Sequence, residues 1–236
     1  MFEKDEEMKQ GFFKFPSTPH IAVLPGVDVR GDKVFSELER EAFLEKTLLV
    51  EEKIDGANLG ISFDSEGNIR VQNRGAYLSL PEEGQWKKLE SWLMPRMETL
   101  FEHLEDRFLV FGEWCYARHS VFYDRLPDWF LGFDVYDRQF ERFLSVARRD
   151  RLLKALKIVQ VPLLAQGKFS FSEILDLLFQ SHFTDSPAEG IYLRFDQDDW
   201  LMQRAKLVCP GFMQSMEEHW SRSAMKANRL AFQSWK

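Results

Sequence analysis

The sequence predicts an α+β fold, a single domain of mainly antiparallel sheets flanked by helices. Three observations predict it. Short β-type runs recur along the chain, and turn chemistry such as DSEGN (64–68) and DQDD (196–199) joins neighbouring runs. Helical spacing is confined to a few separate stretches. Strand and helix patterns do not alternate regularly, so a doubly wound parallel sheet is not expected.

Residues 1–35 are irregular and rich in turns (PSTPH, LPGVDVRGD). Ser36 and Glu39 form an S-x-x-E capping box that opens a short helix. TLLVEEK (47–53) and NLGISF (58–63) read as strands with a lysine turn between them, and DSEGN closes a hairpin from NLGISF to NIRVQNR (68–74). Trp86, Leu89, Leu93, Met97, Leu100, Phe101 and Leu104 fall at helical spacing, and Pro95 should kink or divide that helix. RFLVFGEW (107–114) and WFLGFDVYD (129–137) read as buried strands. Ser145 and Ser170 cap two further helices, the second through another capping box, S-F-S-E. IVQVPLL (158–164), EGIYLRF (189–195) and WLMQRAKLV (200–208) are strands, and residues 210–230 look helical. The run RRDR (148–151) reads as a solvated helix face.

The chain has 236 residues, enough for a sizeable core, and its 44% hydrophobic and 29% charged content is ordinary for a globular protein. The 22 phenylalanines and 7 tryptophans exceed expectation, so most must be core, leaving one or two as stacking platforms. No apolar run approaches the ~20 residues that span a bilayer, and the acidic start MFEKDEEMKQ lacks the apolar stretch of a signal peptide. Cys115 and Cys209 make neither a disulfide framework nor a zinc-ligand spacing. A cytoplasmic location without membrane partners is the expectation. Cys115 reads as a small buried hydrophobe. A net charge of −7 argues against strong non-specific nucleic-acid binding, unless arginines and lysines gather on one face.

The most informative stretch is EEKIDGANL (51–59), which contains K-x-D-G-x-N: Lys53, Asp55, Asn58. A lysine on a tight turn after an apolar strand suggests a nucleophile. Its amine attacks phosphorus only when neutral, and at a pKa of ~10.4 roughly one molecule in a few thousand is neutral at pH 7. Closing that gap takes about 4–5 kcal/mol, which nearby cations or a divalent metal supply and an adjacent carboxylate opposes. Candidates lie downstream. Arg74 follows the hairpin, Glu113 ends RFLVFGE, and Glu189 opens EGIYLR in a Glu-Gly step with no obvious packing value. Arg204 and Lys206 alternate on one strand, so both point to one face and can hold neighbouring phosphate oxygens.

Lys53-Ile-Asp-Gly-Ala-Asn58, Glu113 in FGEW, Phe133 in GFDVYD, Glu189-Gly-Ile-Tyr-Leu-Arg194 and Arg204-Ala-Lys206-Leu-Val resemble, in order and spacing, the collinear motifs of the covalent nucleotidyltransferase superfamily. That superfamily includes DNA ligases, RNA ligases and mRNA capping enzymes. Asn58, where DNA ligases and capping enzymes usually carry arginine, makes the chain similar to the RNA ligase 2-like branch. The resemblance covers about residues 50–210 and implies the nucleotidyltransferase (ATP-grasp-like ligase) fold. It implies domain limits too: an adenylylation domain over 1–210, including the irregular arm 1–35, and a helical extension over 211–236.

The roles it implies follow residue by residue. Lys53 forms lysyl-AMP. Asp55 and Asn58 belong to the nucleotide site, Arg74 contacts phosphate or the 5′ end, and Phe133 stacks on adenine. Glu113 holds the ribose or assists the metal, and Glu189 binds or orients it. Lys206 contacts the α-phosphate and favours the neutral amine of Lys53. Arg204 stands where such ligases often carry lysine, with the same charge in another geometry. The implied cofactors are ATP as AMP donor and Mg²⁺, with Mn²⁺ as a substitute. The implied partner is nucleic acid with 5′-phosphate and 3′-hydroxyl ends, RNA first. DNA ligase, capping-type transferase and non-sealing binding module stay open as alternatives. About 26 residues follow the last motif, short for an OB or helical domain, so the terminal helix or a helper protein is expected to assist the nucleic-acid grip. Arg118 and His119 read equally as phosphate contacts or as a surface salt-bridge loop, and His20 more as a structural histidine than as a nucleotide contact.

Overall fold

The computed structural model describes residues 11–27, 29, 31–178, 181–210 and 225–231. Helix α1 (Glu37–Leu44) opens on the Ser36/Glu39 capping box, and strand β1 (Leu48–Lys53) follows. Strands β2 (Ala57–Phe63) and β3 (Ile69–Gln72) form the expected hairpin. The helical stretch divides at Pro95 into α2 (Leu89–Leu93) and α3 (Met97–Leu104), joined by the 3₁₀ turn Met94–Arg96. Strands β4 (Phe108–Trp114), β5 (Phe130–Asp137) and β6 (Arg142–Phe143) precede helix α4 (Val146–Ala155). Then come β7 (Val159–Gln160), β8 (Leu163–Gly167), α5 (Phe171–Asp176), β9 (Gly190–Gln197) and β10 (Trp200–Val208). Ser170 and Glu173 complete the second capping box, whereas Ser145 precedes α4 without a side-chain cap.

These strands form two sheets: β10-β9-β1-β8, and β3-β2-β4-β5-β6 with β7 added to β5 in parallel. The lysine turn therefore joins no hairpin; it carries the chain from one sheet to the other. IVQVPLL, read as one strand, is two strands in different sheets. The break falls at Pro162, which has no N–H to give a ladder and whose carbonyl accepts the Glu52 N–H at 2.9 Å. Much of the helix expected over 210–230 lies outside the described residues. Over the described residues 225–230 the chain is not helical and bridges Ala227 to Ala117 and Leu230 to Leu126.

Each sheet buries its own core. Phe43, Val50, Ile174, Leu193 and Ala205 pack on the first; Leu59, Ile61, Trp92, Trp114 and Phe130 pack on the second. Most aromatics are structural, as Trp92 illustrates with its edge contacts to Trp114 and Phe130 at 6.0 and 5.3 Å. Between the sheets lies a charged floor. Arg149 of α4, 1% exposed, donates to Glu51 Oε1 at 2.6 Å and to the Phe133 carbonyl at 2.7 Å. Arg194 of β9, fully buried, donates to Asp134 Oδ1 at 2.6 Å and to the same Phe133 carbonyl at 3.2 Å. RRDR is thus not a wholly solvated face: its second arginine ties α4 to both sheets.

Candidate active site

Lys53 is the last residue of β1 and pairs with Gly190, the first of β9. Two glycines permit the close packing here. A Cβ on Gly56 would stand 2.9 Å from the Trp114 carbonyl, and one on Gly190 would collide with the Leu207 carbonyl. The Glu189-Gly190 step therefore has a packing reason that its sequence does not announce. It sets Glu189 Oε2 at 2.5 Å from Lys53 Nζ.

A cleft opens between the sheets, lined by Lys53, Asn58, Arg74, Glu113, Phe133 and Lys206, all sequence candidates, together with Phe15, Thr18, Glu52 and Tyr192. The space it spans, about 740 Å³, includes open solvent at its mouth. On its far wall Lys206 Nζ bonds Asp32 Oδ2 of the N-terminal arm at 2.5 Å. Tyr192, paired across the strands with Lys206, shares a 2.7 Å hydrogen bond with Thr18 Oγ1.

Burial sets the charge states. It pushes the Glu113 carboxyl up to about 8, against the pull of Lys53, and the neighbouring Glu189 and Asp55 add to the rise. It pushes Glu189 up to about 6, again opposed by Lys53. Burial alone would lower Lys53, but Glu189, Glu113 and Asp55 outweigh it and hold the ammonium above its ordinary value. This reverses the expectation that surrounding cations favour the neutral amine. Lys206 behaves oppositely, lowered by burial against the Asp32 contact.

Three candidates stand outside the cleft lining: Glu189, in contact with Lys53, and Asp55 and Arg204. Asp55 is buried, and its Oδ2 accepts the backbone N–H groups of Ser120 and Val121, each at 2.7 Å, which fixes the loop after β4. Arg204 shares a strand face with Lys206 but donates to Asp134 Oδ2 at 2.8 Å between the rings of Phe15 and Phe143. His20 is structural: it is buried on the arm, where burial and Lys206 lower its pKa to about 4. The thiol of Cys115 is buried and held well above its ordinary pKa. His119 Nε2 meets Gln85 Oε1 at 3.1 Å. Asp32, Thr18 and Tyr192 were not among the candidates. The first two belong to the irregular arm, and only the alternation that pairs Tyr192 with Lys206 marked it.

Among the described residues, no group of three or more His, Cys, Asp or Glu side chains is arranged to hold a metal ion. Glu113 lines the cleft with its Oε2 buried and without a partner, and Glu189 contacts Lys53 of the cleft wall. That donor set suits Mg²⁺ or Mn²⁺ shared with substrate phosphate and water, since such ions commonly take one or two protein carboxylates.

A family model described as RNA ligase matches residues 46–208, more than half of the chain. The chain belongs to the RNA ligase family. No curated protein matches it in sequence. Among solved structures, it is similar to the Naegleria gruberi RNA ligase with pyrophosphate, at TM-score 0.58 and 17% identity over 84% of this chain and 61% of that one. A mutant of that ligase with ATP and Mn gives 0.56 and 14% over 88% and 64%, and an apo mutant gives 0.56 and 17% over 77% and 54%. At these identities the likeness establishes the α+β fold with antiparallel sheets, and this RNA ligase family chain spans only 54% to 64% of those ligases' length.

Proposed function

We propose that this RNA ligase family member is an ATP-dependent polynucleotide ligase that seals 5′-phosphate and 3′-hydroxyl RNA ends. The observation that carries the reading is Lys53, placed at the cleft wall with Glu189 at 2.5 Å, Glu113 beside it and Lys206 opposite. The scheme has three displacements. Lys53 Nζ attacks the α-phosphorus of ATP, forms a P–N bond and expels pyrophosphate. The 5′-phosphate then attacks the lysyl-AMP phosphorus and releases Nζ. Finally the 3′-hydroxyl attacks the activated 5′-phosphate, loses its proton and expels AMP.

The free protein holds Lys53 as an ammonium, so nucleotide binding must release that proton first. Glu189 is the contacting base. Glu113 and Glu189 would hold a divalent ion together with substrate phosphate, and its positive charge would offset the carboxylates. Lys206 neutralises α-phosphate charge as phosphorus becomes pentacoordinate. Reaching phosphate requires it to exchange Asp32 for the nucleotide. Phe133 offers a ring face to adenine from a strand pinned by two guanidiniums on its own carbonyl. Asn58, whose Oδ1 is buried without a partner, and Arg74 complete the nucleotide wall. Among the described residues no helix is long and apolar enough to cross a membrane, and two buried free thiols fit the cytoplasm.

The test is a sealing assay with ATP and Mg²⁺ on nicked duplexes and single strands of RNA, DNA and mixed composition. Joining of RNA 3′-hydroxyl ends is expected. ATP binding without joining of any member would reduce the protein to an end-binding module, and labelling by GTP in preference to ATP would indicate a capping-type transferase.

A further inference from the structure

The loop after β4 and the segment 225–231 lie together away from the cleft lining. Arg118 N–H bonds the Lys226 carbonyl at 2.8 Å, Arg229 N–H bonds the Tyr123 carbonyl at 2.9 Å, and Leu126 N–H bonds the Arg229 carbonyl at 3.0 Å. Buried Asn228 locks the pair. Its Nδ2 reaches the carbonyls of Cys115 and Ala117 at 2.8 and 3.1 Å, and its Oδ1 accepts from Tyr123 N–H at 3.0 Å.

This pairing gathers three exposed cations. Arg118 and Arg229 both lie over the half-buried ring of Phe122, at 5.7 and 5.8 Å from its centroid, and Lys226 stands across the pairing from Arg118. Among the described residues none of the three has a carboxylate partner. The nearby acids Asp124 and Asp185 engage Arg125, at 3.6 and 2.6 Å. Like charges directly opposite across paired strands repel, and an anion between them would relieve that repulsion. A second double-cation aromatic shows the contrast. Arg142 and Arg148 each lie 4.8 Å from Trp200, but there Asp199 stands 3.8 Å from Arg148 and supplies the counter-charge. Among the described residues the Phe122 cluster has no such counter-charge.

We propose that Arg118, Lys226 and Arg229, with the Phe122 ring between them, hold the phosphodiester backbone of the RNA substrate. The proposal rests on the ligase reading for its choice of partner. Position favours RNA over an acidic peptide. Asp55, two residues after Lys53, accepts the N–H groups of Ser120 and Val121 in the same loop, so the cluster is fixed relative to the reacting lysine. Cations track backbone phosphates and an aromatic face accepts an unpaired base.

The test uses the full chain and a nicked RNA duplex with a 5′-phosphate. In the combined variant Arg118→Gln, Lys226→Gln, Arg229→Gln, affinity read by fluorescence anisotropy should fall by about tenfold or more, and the slope of log affinity on log salt should shrink by about one per cation removed. Labelling by α-labelled ATP should stay within about twofold, since no mutated group lines the ATP cleft. A second variant, Arg118→Lys with Arg229→Lys, restores the charge and should restore the slope. Unchanged affinity and slope in the triple variant overturn the proposal. So does loss of binding that the lysine variant fails to restore, or displacement of RNA by polyglutamate of equal charge as readily as by RNA. If the wild type does not label with ATP, the ligase reading fails, while the anisotropy still reports on the cluster alone.

Discussion

Lys53 and Lys206 face one cleft, and each holds a carboxylate oxygen at 2.5 Å, yet their proton affinities shift in opposite directions. The cause is the rest of the neighbourhood. Lys53 is surrounded by Glu189, Glu113 and Asp55, and together they outweigh burial. Lys206 has Asp32 as its contacting acid and Lys53 as a neighbouring cation, so burial wins. The partners also differ in origin. Glu189 precedes the strand paired to Lys53, while Asp32 comes from the arm, many residues before β10. A contact distance alone does not assign a charge state; the count of charges within reach does.

The strongest way to break the comparison is to remove the floor beneath both lysines. Arg149 joins α4 to Glu51 of β1 and to the Phe133 carbonyl, so Arg149→Ala leaves buried Glu51 without its hydrogen-bonding cation, with only Arg194 at 3.9 Å, and should destabilise the protein by about 3 kcal/mol in urea unfolding. Next in size, Lys206→Ala should reduce AMP labelling about 10²–10³-fold, the scale of losing one preorganised charge contact to the transition state, with Lys206→Arg recovering part. Asp32→Asn should act the other way. Freed from its partner, Lys206 should bind ATP about two- to fivefold more tightly, as expected for a partly exposed pair worth about 0.5–1 kcal/mol. Weaker ATP binding in that variant would show Asp32 to be part of the nucleotide site.

The last prediction concerns His20. Its folded pKa is about 4 against an ordinary 6.5, so between these values the unfolded chain binds a proton that the folded one does not. Stability contributed at that site is complete above pH 6.5 and lost as pH falls toward 4. His20→Gln should flatten that fall, seen as a shallower dependence of Tm on pH in the window. An unchanged slope would mean that other groups govern the acid response of the arm.

Much of this was legible in the residues. Turn chemistry and period-2 runs marked most strands and the β2-β3 and β9-β10 hairpins, and K-x-D-G with its downstream acids and cations marked most of the cleft. What escaped depended on long-range packing. Pro162 splits one apolar run between two sheets, which periodicity along the chain does not reveal. Arg149 reads as one charge in a basic run and is buried because Glu51 and the Phe133 carbonyl meet it from elsewhere. Asp55 sits in the motif that identified the cleft, but it turns to the 120–121 backbone. Arg204 shares a face with Lys206 and is claimed by Asp134. Alternation predicts a face, not which partner on that face a side chain takes.

The central claim is that Lys53, held as an ammonium in the free protein, is the group that accepts AMP. The most direct measurement is mass-spectrometric mapping of the adduct formed with ATP and Mg²⁺, in the wild type and in Lys53→Ala. AMP is expected on the peptide carrying Lys53, with no adduct in the variant. An adduct on Lys206, or undiminished labelling of Lys53→Ala, would contradict the account.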